Sequence, residues 1–281
     1  MKRADDGYAM IVAIVGIAAF SLIAYEILAA NRGAIASVTA QVENAKLTAA
    51  ADAGVAEAIH GVSLQDHTQR WAIDSRPTTI HFGDTTLTIV IEDERGKIPL
   101  NRLNEDQVRT MFAAAGVSGT RLDQLVDTFE DWQDDDDDPR PNGAEAPDYV
   151  SLGIKPRNGN FRTVDEVSLI KGMDAALFAK LEPALTVFFG DNGGFSQNTA
   201  QPLALGVMLG TGENSPDVIE RQRELQGERP TLDSDQDMNI IGRPLTIKVA
   251  ARDAMGGYVQ RNVIVEFTGN KSDAFWIRNL D

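Results

Sequence analysis

The sequence predicts an α+β protein: a long N-terminal transmembrane and amphipathic helix, then an antiparallel sheet interrupted by an inserted all-helical subdomain. Three observations predict this. An apolar stretch of membrane-spanning length opens the chain and passes without a break into an alanine-rich amphipathic one. Runs of two-residue alternation lie around residues 78–93 and 245–280. Helical periodicity prevails between them, so the order is strands, helices, strands.

The apolar stretch runs from Ala9 to Ala30, 22 residues broken only by Glu26. About 20 residues cross a hydrocarbon core of about 30 Å, and an acid this near the far end reaches the headgroups. Lys2 and Arg3 precede it and place the N-terminus in the cytoplasm. A cleaved secretory signal fits less well. Its apolar part is shorter, and cleavage near Ala29 or Ala30 would put Ile27 or Leu28 where a small residue is needed. Residues 34–60 continue the helix without proline, with Gly54 as the weak point. Val38, Val42, Ala45, Ala49, Ala53 and Ala56 mark its expected apolar face.

Residues 63–77 read as a loop with a short helical piece, and TTIHF–Gly83-Asp84–TTLTIVIED as a β-hairpin. Residues 100–189 read as short helices, with Asn104 and Thr163 as N-caps and Gln107 and Glu166 completing capping boxes. Gly116 and Gly172 sit where helices should stop. A Gly/Asn-rich connector spans 190–202, and helices are expected at Leu203–Leu209 and Pro216–Gly227. Strands at 245–253 and 258–269 turn at Met255-Gly256-Gly257, and FWIRNL (275–280) reads as an edge strand.

The 281 residues include 42 acidic and 26 basic ones, a net charge of −16. That argues against nucleic acid, whose affinity comes from Lys and Arg neutralising phosphates. There is no cysteine, which excludes disulfides, zinc thiolates and thiol catalysis. The charge is local: residues 127–148 hold ten acids and a single base, Arg140. One reading is a solvated acidic loop. The sharper one is a hard-cation site, because calcium takes six to eight oxygens from loop carboxylates and carbonyls. Asp134, Asp136, Asp138 and Glu145 fall on four positions of an EF-hand loop, but Pro139 replaces the glycine that its turn requires. A calcium loop of another geometry is expected, with Asp131, Asp134, Asp136, Asp138, Glu145 and Asp148 as ligands for one or two ions. Asp233, Asp235 and Asp237 form a weaker second run.

The basic leader ending in Gly7, followed by an apolar helix that becomes amphipathic, resembles that of type IV pilins and pseudopilins. Further motifs, in order, resemble the minor pseudopilin K family of type II secretion: DERGKIPLNRL (93–103), DTFEDWQDDDDDPRPNGAE (127–145), NGNFRTVDEVSLIKGM (158–173) and SQNTAQPLAL (196–205). The resemblance implies cleavage after Gly7 by a prepilin peptidase and methylation of Tyr8. It also implies a pseudopilin-type sheet and a calcium-binding insertion. Most pilins carry Glu at the fifth mature position, and here that position is Val12. A buried charge without a partner is costly, so an apolar residue suits a subunit with no neighbour above it. The implied organisation is a leader (1–7), the N-terminal helix (8–62), a pseudopilin domain (63–99 and 190–281) and an inserted helical subdomain with the acidic loop (100–189). The implied role is at the pseudopilus tip with I- and J-class minor pseudopilins, anchored in the inner membrane with the C-terminal part in the periplasm.

Three rival readings are weighed. A type IV pilus tip protein shares the leader but not the insertion. Residues 163–185 resemble a helix-hairpin-helix, yet Lys171 stands nearly alone among acids. An enzyme would need a site, and no HExxH, nucleophile elbow or phosphate loop is present.

Overall fold

The computed structural model describes residues 5–66, 68–190, 194–210 and 240–280. The expected helix at Pro216–Gly227 and the acidic run at 233–237 lie outside these residues, as do Lys2 and Arg3.

Helix α1 runs unbroken over Asp5–Ser63, about 90 Å at 1.5 Å per residue. Met10–Leu28 is long and apolar enough to cross a membrane, and none of it is buried. Farther along, α1 packs on the sheet through Leu47, Ala50, Ala51, Val55, Ala58 and Val62. This corrects the expected face: Val38 and Val42 are exposed, and so are Ala45, Ala49 and Ala56. Alanine occurs all round this helix, so the larger Leu47, Val55 and Val62 decide which side turns inward. Gly54 is a contact rather than a weak point. A Cβ there would lie 2.8 Å from Val249 Cγ1 and 3.2 Å from Leu87 Cδ1, so its absence lets helix and sheet approach.

The sheet comprises β1 (Thr78–Phe82), β2 (Thr85–Asp93), β5 (Pro244–Arg252), β6 (Tyr258–Phe267) and β7 (Phe275–Leu280), in that spatial order. All neighbours are antiparallel. The hairpin and the three late strands form as the alternation predicts. Leu87, Ile89 and Ile91 of β2 join Leu245, Ile247 and Val249 of β5 and Val263, Val265 and Phe267 of β6 in one core beneath α1. No helix forms among the described residues of 64–77.

β2 and β5 are adjacent (Asp93↔Leu245), although a long excursion separates them in sequence. At its base, β3 (Ile98–Pro99) and β4 (Leu185–Thr186) form a short parallel pair that closes the excursion. Within it lie α2 (Glu105–Ala114), α3 (Thr120–Gln133), α4 (Ala146–Tyr149) and α5 (Ala175–Leu181). They share a second core with Phe112, Leu125, Phe129, Trp132, Tyr149 and Leu181. Asn104 caps α2 in a full capping box with Gln107. Thr163 makes no side-chain cap, and 164–169 is 3-10 rather than α-helical. The partner expected for that cap, Glu166, is held instead by Arg157 through bonds of 2.6 and 2.8 Å. Helix α6 (Pro202–Leu209) buries Ala204, Leu205 and Val207 in the helical core. That core therefore extends beyond residue 189, where the sequence placed its limit.

A buried polar junction fastens the two cores together. Asp93 Oδ2 accepts from Arg243 Nε and Nη2 at 3.0 and 2.7 Å and from Thr199 Oγ1 at 2.7 Å. Glu94 accepts from Lys97 Nζ and Thr246 Oγ1, both at 2.6 Å, and from Thr186 Oγ1. Lys97 also pairs with Glu92 at 2.9 Å. The Asp93 and Arg243 side chains are 0 % and 6 % exposed. Removing one partner of such a pair leaves a buried charge and costs about 3–5 kcal/mol. Arg243→Met should therefore destabilise the chain by about that much in denaturant unfolding, whereas Asp93→Asn with Arg243→Met should recover most of the loss.

Candidate functional site

The acidic stretch begins in the last turns of α3. The face of α3 that carries Leu125, Val126, Phe129 and Trp132 is driven into the helical core. Asp131 shares that side of the helix and is 0 % exposed. Asp134 is the C-cap residue, at the negative end of the helix dipole. Proline at 139 and 141 then prevents helix, and the chain turns back through 140–143 to α4. Asp131 organises this return: its carboxylate accepts from Arg140 N at 3.3 Å and Ala144 N at 2.8 Å. Gly143 is required here, because a Cβ would lie 1.8 Å from Asp131 Oδ2. Asn142 donates through its backbone N (2.9 Å) and Nδ2 (2.8 Å) to Asp127.

Behind the loop stands an aromatic wall. Trp132 meets Tyr149 edge-on at 5.6 Å and stacks on Phe161 at 6.4 Å. The Tyr149 hydroxyl accepts from Lys171 N at 2.9 Å. Apolar walls leave little solvent to stabilise carboxylates, and the carboxylates respond accordingly. Burial raises the pKa of Asp131, opposed by the two backbone N–H groups and by Arg140. Burial and then Asp136 and Asp131 raise Asp134. Glu145 is raised to about 7, first by burial and then by Asp131, Asp134 and Asp137. Glu145 is 1 % exposed, and neither of its carboxylate oxygens has a hydrogen-bond partner among the described residues. Asp134 Oδ1 is likewise buried without one.

Of the six expected ligands, Asp131 and Asp134 act electrostatically on Glu145. Asp136 and Asp138 lie on the exposed rim, where Asp136 Oδ1 accepts from Asp138 N at 2.9 Å. Asp148 is turned to Lys171 Nζ at 2.6 Å, which holds its pKa below the ordinary range. Sequence reasoning missed Asp137, which acts on Glu145, and Asn158, whose amide donates to Asp136 O and Asp137 Oδ1 at 2.6 and 3.1 Å. It also missed the charge contacts of Arg140. The lone base in the acidic run was the available signal for Arg140, whereas nothing local signals Asn158. Among the described residues no group of three or more His, Asp or Glu side chains is placed to hold a metal ion. What the site presents is carboxylates that raise one another's pKa, with Asp134 Oδ1 and both Glu145 oxygens buried and unpartnered, a donor chemistry of the kind that hard cations accept.

The helix-hairpin-helix reading finds the base at its turn engaged. Lys171 is paired with Asp148, and Asp174 caps α5 and pairs with Arg121 at 2.6 Å. The processing residues Gly7 and Tyr8 lie in the first turns of α1. Tyr8 and Val12 are exposed on its surface.

The acidic loop lies within a stretch that matches a family model. Residues 89–190 match the family described as type II secretion system (T2SS), protein K. This stretch is similar to the protein K family of type II secretion. It takes in the whole excursion from β2 to β4 and the polar junction at Asp93 and Glu94. The chain is 33 % identical over 152 residues to the type II secretion system protein K of Dickeya chrysanthemi, covering 52 % of this chain and 42 % of that protein. It is 29 % identical over 178 residues to its counterpart in Klebsiella pneumoniae, covering 58 % and 54 %. The chain thus spans about half the length of the curated relatives it matches. Its fold matches a chain in the crystal structure of the GspK-GspI-GspJ complex from enterotoxigenic Escherichia coli, with a TM-score of 0.65 at 13 % identity. That match covers 87 % of this chain and 98 % of the other.

The Glu145 shift gives a test within the inserted helical domain. A raised carboxyl pKa means that the ionised group opposes folding. The penalty is absent below the unfolded value of 4.5 and grows as pH rises through about 7. In chelator, Glu145→Gln should therefore melt at a higher temperature than the parent near pH 8, with the difference fading toward pH 5. Equal melting at both pH values would contradict the burial of an unpartnered carboxylate.

Proposed function

We propose that the chain is a minor pseudopilin at the tip of a type II secretion pseudopilus, where it helps to start or cap assembly for export across the outer membrane. The observation that carries this is the combination of parts: a K-type helical domain inserted between the adjacent strands β2 and β5 of a sheet mounted on one long helix. The apolar span of α1 anchors the subunit in the inner membrane, with the two cores in the periplasm. A prepilin peptidase cuts after Gly7, and Tyr8 becomes the methylated N-terminus. Val12 offers no carboxylate to a neighbour above, and the bulky insertion blocks stacking on that side. Partners of the I and J classes, like those in the complex of the structural neighbour, join it at the tip.

In this reading the acidic loop holds calcium. Asp131, Asp134 and Glu145 would bind it, with loop carboxylates from 136–138 closing over them. When bound, the ion supplies positive charge to oxygens that the fold leaves without partners. Because such an ion binds the folded loop and not the unfolded chain, binding stabilises the fold. The chain's own residues position the oxygens: the Asp131 carboxylate gathers the return loop, and the Trp132–Tyr149 wall keeps water from the inner face.

The test uses the full chain in detergent micelles, mixed with I- and J-class minor pseudopilins of a type II system. The expected result is a stable three-way complex. Elution of the chain alone, while the other two remain associated, would overturn the assignment. Exposure to prepilin peptidase should shorten the parent by the leader and leave Gly7→Val intact, whereas an unchanged parent mass would refute the processing step.

A further inference from the structure

We propose that Arg140 is a built-in counter-ion of the acidic loop, whose guanidinium supplies part of the charge of a bound cation and so sets how strongly the fold depends on one. This rests on the calcium reading above.

Arg140 is the only base between Asp127 and Asp148, and the loop turns back at this residue. Its side chain reaches Glu105 of α2 at 3.0 Å and Glu130 and Asp131 of α3, both at 3.8 Å. Asp127 adds to the field that it feels. Its backbone N–H also donates to both oxygens of Asp131 at 3.3 Å. One residue thus meets the acidic cluster with a fixed charge from the outside and a dipole from the inside. That one charge is too little, because Asp131, Asp134, Glu130 and Glu145 gather on the same side. The deepest of them, Glu145, is 1 % exposed with both oxygens unpartnered. The guanidinium therefore neutralises the outer edge and leaves the inner edge for a cation. It also repels that cation, since like charges interact strongly where solvent is scarce.

Two roles for Arg140 differ in sign. As a strap from the return loop to α2 and α3, its loss would weaken the protein equally with and without calcium. As a counter-ion, its loss harms the calcium-free protein most and tightens calcium binding, because a competing charge is gone. Sites coupled in this way change each other's affinity by about 5–150-fold.

The measurement is thermal unfolding of the full chain in micelles, in chelator and in calcium chloride. Arg140→Gln should melt below the parent in chelator and gain more from calcium than the parent does, with calcium affinity roughly tenfold tighter by competition with a chromophoric chelator. Arg140→Lys, which keeps the charge, should retain the parent's gain. Glu105→Gln leaves Arg140 in place but removes an outside carboxylate, so its calcium gain should shrink. The two charge-changing variants thus move the gain in opposite directions. An unchanged gain in both would overturn the proposal and leave Arg140 a strap. Failure of the calcium reading looks different. If neither the parent nor Arg140→Gln responds to calcium, both ideas fail. If only Arg140→Gln responds, the counter-ion role stands and the parent's need for calcium does not.

Discussion

The carboxylate of Asp93 sits where the sheet ends and the insertion begins, and the rest of the architecture depends on its burial. It is the last residue of β2, facing Leu245 of β5 across the ladder. Its oxygens gather Arg243, which precedes β5, and Thr199, which precedes α6. The neighbouring Glu94 does the same for Thr186 at the end of β4 and Thr246 in β5. Segments far apart in sequence are thus tied to two adjacent residues. Buried charges are tolerated only when paired and hydrogen-bonded. The geometry of the junction is therefore strongly specified, and with it the seating of the helical core on the sheet.

The acidic loop of the insertion follows the opposite rule. There the carboxylates are gathered but not satisfied. Asp131 spends its hydrogen-bonding capacity on turning the chain back, the aromatic wall removes solvent, and Glu145 is left facing other acids. The pairs at Asp93 and Glu94 are completed, whereas Glu145 is left open. In the proposed setting outside the inner membrane, a divalent ion would meet that electrostatic demand, and Arg140 would set how much of it the chain meets alone.

Much of the architecture was legible in the sequence because it rests on local signals. The alternation around 85–93 and 245–267 gave the central strands, and the Asn104–Gln107 pair gave the start of α2. The buried face of α1 was not legible, because an alanine-rich helix has several equally apolar sides and only the fit against Leu87 and Val249 selects one. Gly54 shows the same limit: a residue that weakens an isolated helix is the one that lets this helix reach the sheet. At the candidate site the sequence located the loop and named Asp131, Asp134 and Glu145, but it did not separate these inner carboxylates from the exposed rim. Asp148 belongs to the acidic run, yet Lys171, distant in sequence, takes it. Glu166 looked like part of a cap, yet Arg157 takes it. Charge pairs of this kind depend on how the helices pack, which periodicity does not encode.

The central claim is that the K-type insertion carries a loop completed by a cation. Native mass spectrometry of the full chain released from micelles, after dialysis against micromolar calcium, tests it most directly. The account predicts that the folded parent retains calcium adducts and that Glu145→Gln loses at least one of them. A folded parent that carries no calcium beyond the level of a denatured control would contradict it.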